Sequence, residues 1–488
     1  MDKQTRTDAL CRLSATELRR RIGTGEILSI DVIDACLATI ANLQPALNAF
    51  TQLDPDDARR QARAIDERIA SGAPPRLLEG VPVAIKDETD AAGYATTYGT
   101  PRLRTNRATQ DADVVARLRS HGAVILGKTN LPELSAGVNT DNPVFGKTRN
   151  PYDTTRTVGG SSGGSAAALA AGMIPLATGS DAGGSLRIPA AFCGVASLRP
   201  TPGAVPSTTR TIGFSYNGVK GPMARSVADV ALMFEAMVAD GFCGDPLALD
   251  WPARSGTRAP LADLVGLRIA RSATLGGARV SNAVRELFDG RTRTLLGAMP
   301  WADAEPEFGD AIRSCYVTIR GVDTLAGHGP LFETTPDALP IAVRRICEEA
   351  STMSAARIAA GYREQTRLIR LAESFFDHHD LLLAPVIAAQ PWSVDLPYPP
   401  ELDSAPVGGF LDVIEPCCWI TLLGCPVVTL PCGLDDDGLP FGIQLIGRPR
   451  SDRRLLAVAA ALEGRATEVF GPTEPPARAG AIARRPST

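Results

Sequence analysis

Two hydrophobic periodicities alternate along the chain, and the first change falls near residue 75. Before that point apolar residues recur three and four positions apart, most clearly over residues 30–40, and this spacing is typical of amphipathic helices. Ser14 and Glu17 form a capping-box pattern at the start of one of them. The pattern predicts a helical N-terminal segment over residues 1–75 that packs on the rest of the protein.

Beyond residue 80, short apolar runs alternate with amphipathic stretches. The runs predict strands at 81–85, 123–126, 174–178, 267–270 and 381–386, and the amphipathic stretches predict helices at 114–118, 227–238 and 354–377, with a small-residue helix starting near Ser165. Apolar runs at 426–430 and 441–446 flank the turn signal at 435–438, which predicts an antiparallel hairpin. This order indicates the α/β class, with a central twisted mixed β-sheet flanked by α-helices.

No repeat of fixed period and no low-complexity linker divides the chain into two cores. We therefore expect one large catalytic domain over residues 76–475. The Pro-rich stretch at 391–406 is expected to be a surface loop, and the Pro- and Ala-rich end at 476–488 a flexible tail.

Composition narrows the functional classes. The chain is 44% hydrophobic and 21% charged, with a net charge of −4, which gives no reason to expect a nucleic-acid partner. No uncharged apolar run reaches the ~18 residues of a membrane span, and residues 1–25 lack a secretory pattern, so a cytoplasmic protein without a membrane association is expected. Ten cysteines without clustered spacing predict buried thiols, with Cys417 and Cys418 in strand-like surroundings, rather than disulfides. We expect no metal and no cofactor.

Lysine usage draws attention to one position. Only five of the 50 basic residues are lysines, and Lys86 ends the apolar run that begins at Gly80. A lysine at a strand end often extends its ammonium group into solvent. If it is buried instead, desolvation lowers its pKa enough for it to act as a base near pH 7.

Two Gly- and Ser-rich segments follow. Residues 159–165 run directly into an Ala-rich helix former, which a flexible linker does not usually do, and the amide groups at such a helix start favour negative charge. In the second segment, 179–187, Ser185 follows two glycines. Such a loop can hold an oxyanion and present a nucleophile together, or be no more than a tight turn.

Residues 159–200 as a whole resemble the signature of the amidase signature family of serine hydrolases. The resemblance extends to GVPVAIKD at 80–87, GKTNLPEL at 127–134, GPMARSVAD at 221–229 and LPFGIQLIG at 439–447. It covers most of residues 80–450 and is weak over residues 240–350. The resemblance implies the amidase signature fold.

The resemblance also implies site residues and a reaction. The implied catalytic residues are Lys86, Ser161 in a cis peptide, and the nucleophile Ser185. The implied oxyanion hole comprises the backbone N–H groups of Ala182, Gly183, Gly184 and Ser185. The implied supporting residues are Ser162, Asp181 and Arg187, and the implied substrate wall is Ser135, Ala136 and Gly137. The expected reaction is hydrolysis of the C–N bond of a small amide through an acyl-enzyme, with arylamides, carbamates and esters as alternative substrates. The chain departs from the family's common residues at three positions. It has Val158 where the family commonly has Pro, Ala182 where it has Thr or Ile, and Ser197 where it has Gly. None of these departures removes a catalytic group.

Three other functions are compatible with parts of the sequence. Residues 122–129 match the phosphate-loop pattern of nucleotide binders, but the middle of the match reads as a strand. Residues 159–163 fit the nucleophile elbow of α/β-hydrolases, which needs a preceding buried strand and a histidine from only four in the chain. The third is an amidotransferase-type subunit that supplies ammonia within a larger complex.

Specificity is expected to come from the variable segments 135–140, 208–216, 315–323 and 391–419. They contain the aromatic residues Phe214, Tyr216, Tyr316, Trp392 and Trp419 and few basic groups, which favours a mildly apolar or aromatic acyl or leaving group. The expected partner is therefore a small-molecule amide or carbamate substrate, and the resemblance suggests a homodimer.

Overall fold

The computed structural model describes residues 3–238, 243–251, 264–471 and 473, and the expected tail at 476–488 lies outside them. The helices are α1 Lys3–Arg12, α2 Ala15–Gly23, α3 Ser29–Leu47, α4 Pro55–Ala70, α5 Asp113–Ser120, α6 Gly163–Ala170, α7 Arg187–Cys193, α8 Val227–Met237, α9 Asn282–Leu296, α10 Ala311–Thr334, α11 Ile341–Ser351, α12 Ala355–His378, α13 Leu411–Leu422 and α14 Asp452–Phe470. The strands are β1 Phe50–Leu53, β2 Pro82–Lys86, β3 Val124–Thr129, β4 Leu176–Asp181, β5 Ala196–Arg199, β6 Val219–Ala224, β7 Ile269–Arg271, β8 Trp301–Asp303, β9 Leu381–Pro385, β10 Glu401–Leu402, β11 Ala405–Pro406, β12 Val427–Leu434 and β13 Pro440–Ile446. Short 3₁₀ turns lie at Pro101–Leu103, Glu133–Ser135 and Pro336–Ala338.

Eleven of these strands form one sheet in the order β1-β3-β2-β4-β6-β5-β12-β13-β9-β7-β8. The neighbours β3, β2 and β4 are parallel, as are β9, β7 and β8, whereas the strands from β4 through β6, β5, β12 and β13 to β9 pair antiparallel. The mixed α/β sheet predicted from the sequence is confirmed, and so is the β12–β13 hairpin with its turn at 435–438. Helices cover both faces of the sheet, and β10 and β11 form a separate two-residue hairpin.

The N-terminal segment contributes a strand as well as helices, so the prediction of helices alone was wrong at residues 50–53. There β1 pairs antiparallel with β3 at the sheet edge. Asn48 ends α3 in the left-handed conformation, with φ of 51°, and the Gln44 side chain accepts hydrogen bonds from the N–H groups of Ala49 and Phe50. These contacts satisfy the backbone where the chain leaves the helix, and they direct it into the sheet.

Helix α3 is the one described helix long and apolar enough to cross a membrane by length and composition, with 19 residues and a mean hydropathy of 1.2. Helices of this kind also occur in protein cores. Here one face of α3, including Val32, Ile33 and Ile40, is buried in the main hydrophobic core.

All ten cysteines are free thiols and eight of them are buried. The prediction of buried thiols is confirmed for these eight. Cys417 and Cys418 lie on helix α13 and not in strand-like surroundings, because the apolar run that contains them packs on every side within the second hydrophobic cluster of the molecule. Within the described ranges, no group of three or more potential ligands is placed to hold a metal ion.

Buried charge is concentrated in one region. Among the largest side chains that are fully buried, four are cationic, and they are Lys86, Lys128, Arg187 and Arg199. Lys86 ends β2, Lys128 is near the end of β3, and Arg187 begins α7 shortly after β4. Because burying a charge is unfavourable unless the charge is paired, this edge of the sheet is where a functional site is expected.

Candidate active site

The carboxyl ends of the parallel strands β2 and β4 form the floor of the site. In α/β sheets, ligands bind in the crevice outside these strand ends. The loop that precedes α6 brings Ser161 to this edge, and the loop between β4 and α7 brings Ser185. Both serines line a cavity of 320 Å³.

Lys86 is fully buried beneath this cavity. Its Nζ lies 2.6 Å from Ser161 Oγ and 2.8 Å from Ser180 Oγ. Burial lowers the pKa of Lys86 to about 8; the carboxylate of Glu88, 3.6 Å away, opposes this shift, and the nearby ammonium of Lys220 adds to it. A lysine with this pKa is neutral in an appreciable fraction of molecules near neutral pH.

The loop that carries Ser161 is locked to the loop that carries Ser185. The Gly160–Ser161 peptide is cis, as the resemblance implies. The N–H of Ser162 donates to the carbonyl of Ser185 at 3.1 Å, and the backbone N–H of Ser180 donates to Ser162 Oγ at 3.3 Å. These contacts fix the two serine loops relative to β4, and they agree with a supporting position for Ser162.

Asp181 folds the loop that presents Ser185. Its carboxylate accepts hydrogen bonds from the N–H groups of Gly184 at 2.9 Å and Leu186 at 3.2 Å, and it pairs with the guanidinium groups of Arg187 at 2.9 Å and Arg199 at 3.2 Å. Burial alone would raise the pKa of Asp181, but the two arginines outweigh burial and hold that pKa well below its ordinary value. Asp181 therefore stays ionised and holds the turn closed.

One implied oxyanion donor needs correction. The resemblance assigns the N–H of Gly184 to the oxyanion hole, but this N–H donates to Asp181 and is not available in this geometry. By contrast, the N–H groups of Ala182, Gly183 and Ser185 donate to no acceptor among the described residues. Gly184 instead shapes the loop: its φ of 115° disfavours any residue with a Cβ.

Gly183 is required for a different reason. A Cβ at this position would overlap the hydroxyl of Tyr316 on α10. That hydroxyl donates to the carbonyl of Ala182 at 2.9 Å, and burial raises the pKa of Tyr316, so the hydroxyl stays protonated. Helix α10 thus contributes a second contact to the loop that Asp181 holds.

Of the three residues expected to form the substrate wall, the structure brings only Ser135 to the cavity. The Oγ of Ser135 donates to Glu88. Ala136 packs against a satellite hydrophobic cluster centred on α11, and the carbonyl of Gly137 lies against Gly160. The segment therefore supports the catalytic loop and the α11 region more than it lines the cavity.

Sequence reasoning did not assign Glu88 and Lys220 to the cavity wall, and it included Ser180 and Asp323 only as members of the segments 179–187 and 315–323. The carboxylate of Glu88 accepts from Lys220 on β6 as well as from Ser135. Burial would raise the pKa of Glu88, but Lys220 and Lys86 outweigh burial and lower it, so Glu88 remains ionised. The signal for Lys220 was available, because it is another of the five lysines.

The two rival catalytic patterns are not realised. The middle of the phosphate-loop match is strand β3, and its Lys128 is buried, pairs with Asp87 at 3.2 Å and donates to the carbonyl of Ala95. Residues 150–158, before the serine loop, form no strand. All four histidines lie in the described part of the chain, and none of them lines the cavity. A nucleotide cradle and an α/β-hydrolase elbow are therefore both excluded at these positions.

The expected aromatic wall is also absent. None of the aromatic residues Phe214, Tyr216, Tyr316, Trp392 and Trp419 lines the described cavity. Trp392 packs edge-on against Phe192, and Trp419 against Phe308, whereas Phe214 and Tyr216 are exposed. Where aromatic side chains were expected, the cavity wall has polar and charged groups.

Comparisons with a family model, with known sequences and with solved structures all identify the same family. The Amidase family model matches residues 31–456. An acylamidase of Rhodococcus erythropolis is 33% identical over 455 residues, which cover 92% of this chain and 95% of that protein. A Glutamyl-tRNA(Gln) amidotransferase subunit of Symbiobacterium thermophilum is 35% identical over 488 residues, covering 92% and 96%.

Solved structures agree. The crystal structure of a bacterial aryl acylamidase belonging to the amidase signature enzymes superposes with a TM-score of 0.86 at 27% identity, covering 97% of this chain and 99% of the other. The structure of 6-aminohexanoate cyclic dimer hydrolase complexed with substrate superposes with a TM-score of 0.81 at 27% identity, covering 94% and 97%. The chain therefore belongs to the amidase signature family of amide-hydrolysing enzymes.

Proposed function

We propose that this chain is a serine amidase that forms an acyl-enzyme on Ser185 with Lys86 and Ser161 as its proton relay. The observation that carries the proposal is the position of Lys86 Nζ, fully buried and 2.6 Å from Ser161 Oγ, at the base of the cavity that Ser161 shares with Ser185. A buried lysine of lowered pKa within hydrogen-bond reach of a hydroxyl is a suitable general base.

The first half of the reaction forms the acyl-enzyme. Neutral Lys86 accepts the proton of Ser161, and Ser161 accepts the proton of Ser185. The Oγ of Ser185 then attacks the substrate carbonyl. The tetrahedral oxyanion is stabilised by backbone N–H groups that carry no other hydrogen bond among the described residues, those of Ala182, Gly183 and Ser185.

The second half releases both products. The relay runs in reverse and delivers a proton to the leaving amine as the C–N bond breaks. A water molecule then loses a proton to the same relay and attacks the acyl carbonyl, which frees the acid and restores the Ser185 hydroxyl. The same steps apply to esters and carbamates, since only the leaving group differs.

Small amides are the proposed substrates. Two relatives that cover almost the whole chain are named acylamidase and aryl acylamidase, which supports arylamides as the first compounds to test. A panel of p-nitroanilides, aryl carbamates and fatty amides separates amide, urethane and ester preference.

The proposal is tested with variants at each position of the relay. We expect Ser185→Ala to lose about 10⁴- to 10⁶-fold in kcat, and Lys86→Ala and Ser161→Ala to lose at least about 10³-fold. The matched controls are Ser71→Ala and Lys147→Ala at exposed or ion-paired surface positions, and both are expected to retain wild-type rates. Full turnover by Ser185→Ala, with a folded protein by circular dichroism, would refute the nucleophile.

An amidotransferase-type role is the second candidate, and it is supported by the 35% identity to the Glutamyl-tRNA(Gln) amidotransferase subunit. It predicts release of ammonia from glutamine that rises when a partner protein is present. Gel filtration of the protein purified from its native host, together with a glutaminase assay, distinguishes the two roles. A single-chain species that hydrolyses arylamides without glutaminase activity supports the stand-alone amidase.

A further inference from the structure

Most charged side chains around the cavity form ion pairs with side chains of opposite charge, but one carboxylate does not. Glu88 is paired with Lys220, Arg210 with Asp245 at 3.3 Å, and Asp181 with two arginines. Asp323 lines the same cavity, and no described cation lies within ion-pair distance of it. It is the one acidic group of the wall whose charge is not matched by a neighbouring side chain in the described part of the chain.

The hydrogen bonds of Asp323 leave part of its carboxylate unused. Its Oδ2 accepts from Ser215 Oγ at 2.8 Å and from Asn217 Nδ2 at 2.5 Å, both neutral donors. Its Oδ1 accepts from none of the described residues. Asn217 is itself buried, with 3% of its surface exposed, and its Oδ1 also has no partner. The buried Asn217 oxygen is therefore costly to leave without a donor, whereas Asp323 is half-buried and has one oxygen that no described side chain occupies.

The position of Asp323 on α10 indicates how far a substrate group bound there lies from the carbonyl at Ser185. Asp323 follows Tyr316 by seven residues on α10, which is two helical turns, or about 10 Å along the axis, on nearly the same helix face. The Tyr316 hydroxyl contacts the nucleophile loop at Ala182. A substrate whose carbonyl is at Ser185 therefore reaches Asp323 only through a spacer of several bonds.

The positive groups of the wall, Arg210 and Lys220, are each paired with a carboxylate, although the buried Nε of Arg210 has no hydrogen-bond partner. The Arg210 guanidinium donates to the carbonyls of Ser215 and Gly218 and pairs with Asp245. Lys220 is bound to Glu88. The unmatched charge in the cavity wall is negative, so electrostatic complementarity favours a cation beside it.

We propose that Asp323 is a specificity-determining residue that binds a primary ammonium group of the substrate, on the order of 10 Å from the scissile carbonyl. This inference rests on the proposed amidase function, since it takes the bond attacked at Ser185 as the reference point. The substrate class is an amide of an ω-ammonium alkanoic acid, with the carboxylate of Asp323 as the acceptor. Burial raises the pKa of Asp323, while hydrogen bonds from Ser215 and Asn217 and the more distant charge of Arg210 oppose this shift.

The test compares two p-nitroanilides of equal length, one ending in an ammonium group and the other in a hydroxyl group. We expect wild type to prefer the ammonium substrate by about 10- to 100-fold in kcat/KM, mainly through KM. Asp323→Asn should abolish this preference, because it lowers kcat/KM for the ammonium substrate far more than for the hydroxyl substrate. The matched control is Asp310→Asn, which removes the same charge at the exposed start of the same helix and should keep the preference.

Other outcomes are equally decisive. Equal losses on both substrates in Asp323→Asn would show that the residue only holds the 207–217 loop, and would overturn the inference. A wild-type preference for a carboxylate-ended analogue would overturn it as well. If wild type hydrolyses neither substrate, the proposed function fails. The inference about Asp323 is then tested separately, by calorimetric titration of 6-aminohexanamide into Ser185→Ala and into Ser185→Ala/Asp323→Asn. Binding that depends on Asp323 supports the inference, and binding that is absent or unchanged overturns it.

Discussion

At the scale of single residues, the chemistry depends on the charge of Lys86. Desolvation favours the neutral amine, whereas the Glu88 carboxylate favours the ammonium form. Glu88 lies in the turn that follows β2, where its carboxylate is 3.6 Å from Lys86 Nζ. Lys220 in turn neutralises Glu88. Together with burial, these charges set the pKa of Lys86 at about 8.

The first prediction concerns the pH dependence of the reaction. If neutral Lys86 is the base, as proposed, kcat/KM should rise with pH and level off above an inflection at about 8. Glu88→Gln removes the carboxylate that favours the ammonium form, so the inflection should move to lower pH. The exposed substitution Glu401→Gln is the control and should leave the profile unchanged.

This pH profile is measured with a neutral substrate, so that only the enzyme titrates. A kcat/KM that falls as the pH rises through 8 would mean that the ammonium form is the active one. An inflection that moves upward in Glu88→Gln would contradict the assigned direction of the Glu88 effect.

At the scale of elements, the nucleophile loop is held between β4 and α10. Asp181 closes the loop from the β4 end, and Tyr316 contacts it from α10. Helix α10 lies in the stretch of residues 240–350 that resembles the family least, and yet it supplies a contact to the catalytic loop. The free space beside Gly183 is limited by this contact.

The second prediction follows from that limit. Gly183→Ala should lower kcat by about 10²- to 10³-fold, because the added methyl group displaces a loop that carries oxyanion donors. Tyr316→Phe alone loses one hydrogen bond and should cost roughly 2- to 10-fold. In the double variant the hydroxyl is gone, so at least about 10-fold of the Gly183→Ala loss should return.

The matched control for this prediction is Gly290→Ala on α9, where a Cβ meets open space; it should leave kcat unchanged. Additive losses in the double variant, measured on the same substrate, would show that the Tyr316 hydroxyl does not limit position 183.

Elements built from local sequence were predictable, and contacts between distant segments were not. The β12–β13 hairpin and the strand that ends at Lys86 follow from short apolar runs and turn residues. Strand β1 has only four residues and depends on pairing with β3 about 75 positions later, so no local pattern marks it. The same applies to Asp323, whose partners lie more than 100 residues earlier in the chain.

The proposed catalytic residues came from the resemblance, whereas the lining of the cavity could be identified only from the fold. Lys86 and Ser161 meet 75 positions apart in sequence, and spacing alone predicts no such contact. Tyr316, Trp392 and Trp419 were expected in the wall, but all three are buried elsewhere in the second hydrophobic cluster, because burial of large rings outweighs any local preference for a loop.

At the scale of the whole molecule, largely buried carboxylates join distant parts of the chain at helix starts. Asp229 on α8 accepts from the N–H groups of Ala15 and Thr16, where α2 begins. Glu463 on α14 accepts from the N–H of Val227, the first residue of α8, at 2.9 Å. A negative charge is favourable at these helix N-termini, so both carboxylates tie the terminal helices to the centre.

The third prediction concerns stability. Burial raises the pKa of Glu463 to about 7, and Asp229 adds to the shift, while the hydrogen bond from Val227 opposes it. A carboxyl with a raised folded-state pKa contributes stability that is fully present below its unfolded value of 4.5 and is lost as the pH rises through 7. Glu463→Gln should therefore show a smaller loss of stability between pH 5 and pH 8 than wild type.

Urea denaturation midpoints at several pH values measure this difference. Glu468→Gln, at an exposed position on the same helix, should keep the wild-type pH dependence. An unchanged pH dependence in Glu463→Gln would show that Glu463 has the same pKa in the folded and unfolded states.

The most direct test of the central claim is to locate the acyl group on the enzyme. Wild-type protein is mixed with a p-nitrophenyl ester or anilide, quenched with acid within the first turnover, digested and mapped by mass spectrometry. The proposed relay predicts one acylated residue, Ser185, and no adduct in Ser185→Ala. An acyl group on Ser161 or Ser180, or turnover by Ser185→Ala at the wild-type rate, would contradict it.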